Sequence, residues 1–462
     1  MISFKSWLTD IRFWIGVTFI HRLITIVQPP LEVAHIWRQT MMCMVARNFY
    51  EIDANIFYPR LDMPGDLPGI TGMEFPFLNY LIYLVSIPFG YDHWYGRLIN
   101  LIVSSVGIWS FHRYVSKIFS KKVAFYSAFI VLFSIYYYYS RKIMTDTFSV
   151  SLVIIGMTLW LEYLDHRKWF GFVVGFVLIT LGVLGKLPVV VALSLLWPTF
   201  LKAGKADRWL IAGATSSAGI IAWLWYFLWV PYLQETYHLD RYFMGASMSE
   251  TAQFILAHKS RVASVFYQKA MGWSGFGVFI AGLFYLRKRD VNLSPIVGLG
   301  AALILLVLFK SGDRFMDHPY YVIPFVPIMS LVASSALEKM RPALLFIALL
   351  AIGTEGIVSR WDDQFVKNGS AIEDLENRLD PFVAKDETIV VNSQEIPAPL
   401  YFAHRRGWVA WNGSLLDEEV RQSLAARGCD FIVILKQRFG EEVRLNLPLI
   451  YEDEVFLLYP IE

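Results

Sequence analysis

Two kinds of side chain would let this chain do chemistry: a carboxylate able to take a proton from a hydroxyl, and cations able to hold a phosphate. Both occur in residues 30–76, PLEVAHIWRQTMMCMVARNFYEIDANIFYPRLDMPGDLPGITGMEFP, where Glu32, His35, Arg38, Arg47 and Glu74 stand in an aromatic and apolar setting. Glu32 follows the Pro-Pro pair that ends an apolar run and could act as a general base, although a solvated loop carboxylate explains it as simply. His35 and Arg38 would share a helical face at i, i+3, with Trp37 as an interface anchor. Arg38 offers two parallel donors suited to phosphate oxygens; snorkelling to lipid headgroups is the ordinary alternative. Arg47, with Asn48 and Phe49, reads as structural. Glu74 either complements the dipole of a helix beginning after Pro76 or faces the same cavity as Glu32.

A second set of ionisable residues lies farther along. Arg97 follows the next apolar run, Arg141 and Asp146 lie in SRKIMTD, Lys186 in GKLP, and Lys310, Asp313, Arg314 and His318 in KSGDRFMDHPYY; Arg241 stands alone. Such groups at a membrane boundary are costly to place and are functional candidates by default. Arg141 and Asp146 could pair across their turn. The ammonium of Lys186, in apolar surroundings, needs an anionic partner, of which a lipid phosphate is the simplest. Arg314 and His318 suit a headgroup or a substrate equally.

The elements that must position these groups are membrane spans. Of 462 residues, 56% are hydrophobic and only 17% charged, and mean hydropathy is +0.46, far from the average of soluble domains. Apolar runs able to cross as helices fall near 11–28, 97–114, 122–140, 146–164, 169–185, 187–201, 209–230, 269–286, 293–309, 319–337 and 342–358. The first reads as a retained span, because no small-residue cleavage site follows it. Short cytoplasmic loops collect Lys and Arg. Lys5 with Arg12, Arg113 with Lys117, Lys121 and Lys122, Arg167 with Lys168, Lys202 with Lys205 and Arg208, Arg287 to Arg289, and Lys339 with Arg341 are the basic clusters. They fall at every second connection only if the shorter run 77–90 lies along the membrane rather than across it. The N-terminus is then cytoplasmic, the first outer loop is 29–96, and the C-terminus lies outside. The tyrosines at 136–139 read as an aromatic belt at the outer interface.

Beyond Arg360 the sequence turns soluble in character. TIVVN and DFIVIL read as buried strands, SAIEDLENRLDPFV and LDEEVRQSLAARG as amphipathic helices, the second closing at Gly428. The expected architecture is an all-α polytopic membrane protein of about eleven spans plus juxtamembrane helices over 1–360, followed by a small soluble α/β domain over 361–462. A net charge of +2 without a basic patch gives no footprint for nucleic acid. Cys43 and Cys429 are far apart and offer no metal-ligand spacing; no cofactor is implied, and participation of a divalent metal stays open. No repeat of the kind that marks transporters is visible.

The layout and the order of the motifs resemble the GT-C superfamily of polyprenyl-phosphate-sugar-dependent glycosyltransferases, in the branch of protein O-mannosyltransferases and aminoarabinose transferases (glycosyltransferase family 39-like). The resemblance rests on AHIWRQTMMCMVARNF, EFPFLNYLIYLVSIPFG with Arg97 following, YYSRKIMTD, LGKLP and DHPYYVIPFVP, in that order across roughly residues 10–340. It implies an inverting transfer of a sugar from a polyprenyl-phosphate donor to a protein, lipid or glycan acceptor, on the extracytoplasmic face of a bacterial inner membrane. Lys186, with Arg38 or Arg97, matches the phosphate-stabilising role, and Asp146 matches the second acidic position. One departure stands out: Arg38-Gln39 occupies the place of the Asp-Glu pair that opens the family's first juxtamembrane helix. Glu32 is therefore the first candidate base, with Asp146, Glu74 and then His35 behind it. A transporter or flippase of lipid-linked saccharides is the alternative; it would require polar residues deep within several spans.

Overall fold

The computed structural model describes residues 8–240, 245–286, 292–437 and 443–462. Lys5, Arg241 and the 287–289 basic cluster lie outside them. The chain divides into two compact units, one of Met1–Ile26, Arg97–Tyr226 and Phe243–Trp361, the other of Val27–Gly96, Phe227–Tyr242 and Asp362–Glu462.

The first unit is helical. Helices occupy every apolar run named above, but with different lengths: the first, Ile11–Leu23, stops before residue 28 as the backbone turns left-handed at Thr25. Among the described residues four helices are long and apolar enough to cross a membrane, Thr145–His166, Lys205–Tyr237, Leu293–Ser311 and Pro319–Leu337; five further apolar helices are shorter. Length and hydropathy alone therefore do not fix the count at eleven.

Close helix packing comes from small residues. A Cβ on Gly156 would lie 2.6 Å from the Gly175 carbonyl oxygen, and one on Gly175 2.8 Å from that of Gly156, so the Thr145–His166 and Trp169–Gly185 helices touch backbone to backbone. Trp160 Nε1 seals the contact by donating to Phe172 O at 3.0 Å. The second of these helices ends at Lys186, where Pro188 imposes a 3-10 continuation over Leu187–Leu196.

The second unit joins the first loop to the C-terminal segment. Five strands form its sheet: β1 (Ile389–Val391), β2 (Gly407–Val409), β3 (Phe431–Leu435), β4 (Tyr451–Glu452) and β5 (Phe456–Pro460), in the order β2-β1-β3-β5-β4. β2, β1 and β3 are parallel, whereas β5 and β4 run antiparallel at one edge. Three of these strands escaped the sequence reading, because β2 begins on a glycine and β4 and β5 lie in the terminal LIYEDEVFLLYP without a clean alternation. The helix Glu418–Ala426 does close at Gly428, whose φ is +82°. SAIEDLENRLDPFV is less regular than one helix: a 3-10 turn, Ser370–Ile372, precedes Leu375–Leu379, and Pro381 forbids extension.

The loop is integral to this unit. Gly407 N donates to Asp62 O at 2.9 Å, Asn368 N to Leu31 O at 2.6 Å, and Ala34 N to Asp363 Oδ1 at 3.0 Å. Arg427 closes a bidentate pair with Asp66 over the face of the Trp408 ring. This pairing lowers the Asp66 carboxyl below its ordinary range.

Candidate active site

In the helical unit the turn at 140–146 is built from the Trp94–Ile118 helix. The buried amide of Asn100 donates to the carbonyls of Tyr139 (3.0 Å), Lys142 (2.8 Å) and Met144 (3.2 Å), and its oxygen accepts from Thr147 Oγ1 (3.1 Å). A single side chain thus serves carbonyls that the interrupted helix cannot satisfy.

Cations gather on this turn. Arg141 Nη2 donates to Thr25 O at 3.0 Å and to Thr25 Oγ1 at 3.1 Å, Arg97 Nη1 to Ile26 O at 3.3 Å, and Arg22 to the Ser140 hydroxyl. Arg22 also lies 4.8 Å from the Tyr137 ring centroid, and Lys142 Nζ 4.5 Å from that of Tyr138. The anionic neighbour that Lys186 requires includes Asp146, with Nζ to Oδ1 at 3.6 Å and both side chains below 10% exposure. The same ammonium lies 4.9 Å and 5.5 Å from the rings of Tyr320 and Tyr321, and His318 stacks on Tyr320 at 5.2 Å. Arg314 is exposed at the start of the short helix Arg314–Asp317. Tyr136, Tyr137 and Tyr139 are buried, so the tyrosine run is not the lipid-facing belt its composition suggested. Two of its rings instead face cations.

The number of buried cations separates this region from an ordinary core. Among the described residues of the helical unit, Arg22, Arg97, Arg141, Lys142 and Lys186 are buried, against the carboxylates Asp146 and Asp207. Asp207 pairs with Arg167 at 2.7 Å, and Asp146 with Lys186. Placing charge out of water is costly, so a gathering of buried cations of this kind marks a candidate site for an anion.

The second unit holds the remaining candidates. Glu32 is buried, its carboxylate accepts from the Gln39 amide, and its backbone bridges to Lys367. His35 is the N-cap of the Ile36–Glu51 helix with φ +66°, so it lies outside the helix and does not share an i, i+3 face with Arg38. Arg38 Nη2 and Glu74 Oε1 form a buried pair at 2.5 Å. Arg47 is structural: it donates to Asp62 Oδ2 at 2.7 Å and to Tyr401 O at 2.9 Å, over the Tyr401 ring. Burial alone would weaken the hold of Arg47 on its proton, but Asp62 and nearby phenols reverse the balance and raise its pKa. Among the described residues no group of three or more His, Cys, Asp or Glu could hold a common metal ion.

Lys142, Arg22 and Asn100 are the residues that sequence reasoning passed over. Lys142 sat inside the quoted SRKIMTD but was overshadowed by Arg141 and Asp146. Arg22 was absorbed into an apolar run, although a cation within a span is itself the signal. Asn100 carried only its polarity.

Comparison with known proteins fits this geometry. A family model for dolichyl-phosphate-mannose-protein mannosyltransferase matches residues 72–231. The structure resembles ArnT from Cupriavidus metallidurans bound to undecaprenyl phosphate, with a TM-score of 0.62 at 10% identity over 97% of this chain and 98% of that one. The fold is that of the GT-C glycosyltransferases. Two other GT-C structures support the assignment. The oligosaccharyltransferase AglB from Archaeoglobus fulgidus, in complex with an inhibitory peptide and a dolichol-phosphate, gives a TM-score of 0.51 at 12% identity over 92% of this chain and 69% of its own. Arabinofuranosyltransferase AftD from Mycobacteria gives 0.52 at 11% identity, over 97% of this chain and 41% of its own. No curated protein sequence matches significantly.

Proposed function

We propose that the chain is an integral-membrane glycosyltransferase that moves a sugar from a polyprenyl-phosphate donor to an acceptor at the extracytoplasmic face of a bacterial inner membrane. The single observation that carries this reading is the gathering of the buried cations Arg22, Arg97, Arg141, Lys142 and Lys186 around the 140–146 turn, a set whose chemistry suits the donor phosphate. The GT-C fold and the lipid phosphates named in the ArnT and AglB structures support it.

In the proposed reaction an acceptor oxygen attacks the anomeric carbon from the side opposite the phosphate while its proton passes to a carboxylate. The bond from the anomeric carbon to the phosphate oxygen breaks in the same step, and the electron pair leaves on the lipid phosphate. One displacement inverts the anomeric centre. Lys186, Arg97 and Arg141 stabilise the charge that grows on the leaving group, an effect strengthened by low local dielectric. Asp146, ion-paired to Lys186, holds that ammonium in place. Glu32 is the first candidate base, its carboxylate oriented by Gln39, and Glu74 follows; His35, Arg38, Arg314 and His318 are assigned to substrate contacts.

The test is transfer by purified protein from synthetic polyprenyl-phosphate sugars, comparing wild type with Glu32→Gln, Asp146→Asn and Lys186→Ala. Loss of transfer in folded variants supports the assignment. Wild-type rates in all three would remove these residues from the mechanism, and absence of transfer with every donor would favour a transporter.

A further inference from the structure

Among the described residues, the first loop covers one end of the sheet of the second unit and leaves several side chains exposed at the other. At the amino ends of its parallel strands the first loop closes in: Asp62 O accepts from Gly407 N, a Cβ on Gly65 would lie 2.8 Å from the Trp408 ring, and Arg406 donates to Leu67 O. At the carboxyl ends Gln394, Glu395, Trp411, Gly413 and Gln437 are exposed, Trp411 by 53%.

This open end is also where the strand order reverses. The chain leaves β1 toward β2 on one side and leaves β3 toward the β4–β5 hairpin on the other. In open α/β sheets the crevice outside the carboxyl ends at such a reversal is the general place for a ligand. Here it is held by a buried side chain. Asn392, one residue past β1, accepts from Leu435 N at 2.7 Å and donates to Leu435 O at 3.2 Å, fastening the ends of β1 and β3 together. Its amide also donates to Asn412 Oδ1 at 2.9 Å, which sets the rotation of the Asn412 amide next to the exposed Trp411. Gln394, two residues on, is held left-handed at φ +59° by its N–H bond to Ala410 O at 2.8 Å. A left-handed non-glycine is strained and is kept where the surroundings over-determine it, commonly at ligand clamps.

The chemistry of these groups selects the ligand. An exposed indole beside oriented amides matches a sugar ring, whose C–H face packs on the aromatic plane while its hydroxyls exchange hydrogen bonds with the amides. A phosphate fits poorly. Glu395 adds negative charge to the loop after β1, which lacks the glycines of a nucleotide cradle, and Lys436 is engaged with Glu452 at 2.6 Å. We infer that the carboxyl edge of this sheet, with Trp411, the Asn392–Asn412 pair and Gln394, binds a neutral saccharide; on the glycosyltransferase reading, on which this last step rests, that saccharide is the acceptor glycan.

The experiment is binding of the full-length protein in detergent to an array of neutral and phosphorylated envelope oligosaccharides, with the best neutral probe then titrated by saturation-transfer NMR. Wild type is expected to bind a neutral oligosaccharide, Trp411→Ala to weaken it by about tenfold or more, Trp411→Phe to retain most of it, and Asn392→Ala to fall between. Thermal midpoints identify any variant that fails to fold, and the phenylalanine variant then carries the comparison. The inference is overturned if no neutral glycan binds or if Trp411→Ala binds as wild type does. Lys186→Ala separates the two readings, since it should abolish transfer and leave glycan binding intact. Glycan binding without transfer from any donor would overturn the glycosyltransferase reading alone; transfer with an acceptor KM unchanged in Trp411→Ala would overturn the saccharide site alone.

Discussion

Buried charge is arranged differently in the two units: among the described residues, close opposite pairs mark one and a gathering of cations the other. Among the described residues of the loop-and-sheet unit the buried charged side chains are Glu32, Asp62 and Glu74 against Arg38, Arg47 and Arg405, three of each sign. Four of them form close buried pairs, Arg38 with Glu74 and Arg47 with Asp62, and Arg405 reaches Asp380 at 2.7 Å. Among the described residues of the helical unit the buried cations are Arg22, Arg97, Arg141, Lys142 and Lys186, of which Lys186 pairs with Asp146. Close opposite pairs hold loop to sheet, whereas a gathering of cations suits an anionic ligand.

This contrast can be broken most severely at a balanced pair. Asp62→Ala leaves the Arg47 guanidinium buried without its carboxylate and is expected to cost about 3–5 kcal/mol of stability, read as a lowered unfolding midpoint in detergent. Transfer per folded molecule should be unaffected. Lys186→Ala reverses the pattern: turnover should fall by about 10² to 10³, the usual loss when one stabiliser of a developing oxyanion is removed, with a smaller change in unfolding midpoint. If the two variants trade these effects, the distinction between the units is wrong.

Gly65→Ala probes the joint between loop and sheet without touching a charge. Its Cβ would lie 2.8 Å from two ring atoms of Trp408 and 3.1 Å from Gly407 Cα, so a loss of about 1–3 kcal/mol is expected in thermal or urea unfolding. The double change Arg38→Met with Glu74→Leu should stay within about 1 kcal/mol of wild type while each single change costs several, as expected of a self-contained buried pair. The smallest effect concerns Glu452, whose carboxyl is held at about 2 first by its hydrogen bond to Arg444 and then by Lys436. A depressed carboxylate stabilises the fold above its unfolded pKa, and that contribution is lost as pH falls toward the folded value. Unfolding midpoints measured from neutral to strongly acidic pH should therefore decline slightly more steeply for wild type than for Glu452→Gln.

Much of the fold was legible in the sequence because its signals are local. The apolar runs, the strands TIVVN and DFIVIL and the glycine cap at Gly428 all follow from composition and periodicity. The order of the motifs led to the GT-C fold. Less legible were features set by long-range contact. Glycine-first β2 is a strand because it pairs with β1, and residues 27–96 share a compact unit with the C-terminal segment through contacts such as Arg47 to Tyr401, separated by more than three hundred residues. The candidate site divided in the same way. Asp146 and Lys186 were recognisable as costly membrane-boundary charges, but their pairing was not, and His35 read as helical although its positive φ makes it a cap. Lys142 and Arg22 needed the fold to reveal that the tyrosine run faces cations rather than lipid.

The central claim is that the buried cations of the helical unit bind the phosphate of a lipid-linked donor. Its most direct test is calorimetric titration of the full-length protein in detergent with undecaprenyl phosphate and, in parallel, with uncharged undecaprenol. The account predicts that the phosphate binds and the alcohol does not, that Lys186→Met weakens phosphate binding by about tenfold or more, and that Arg47→Met leaves it unchanged in the folded fraction. Equal binding of phosphate and alcohol, or equal loss in the Lys186 and Arg47 variants, would contradict it.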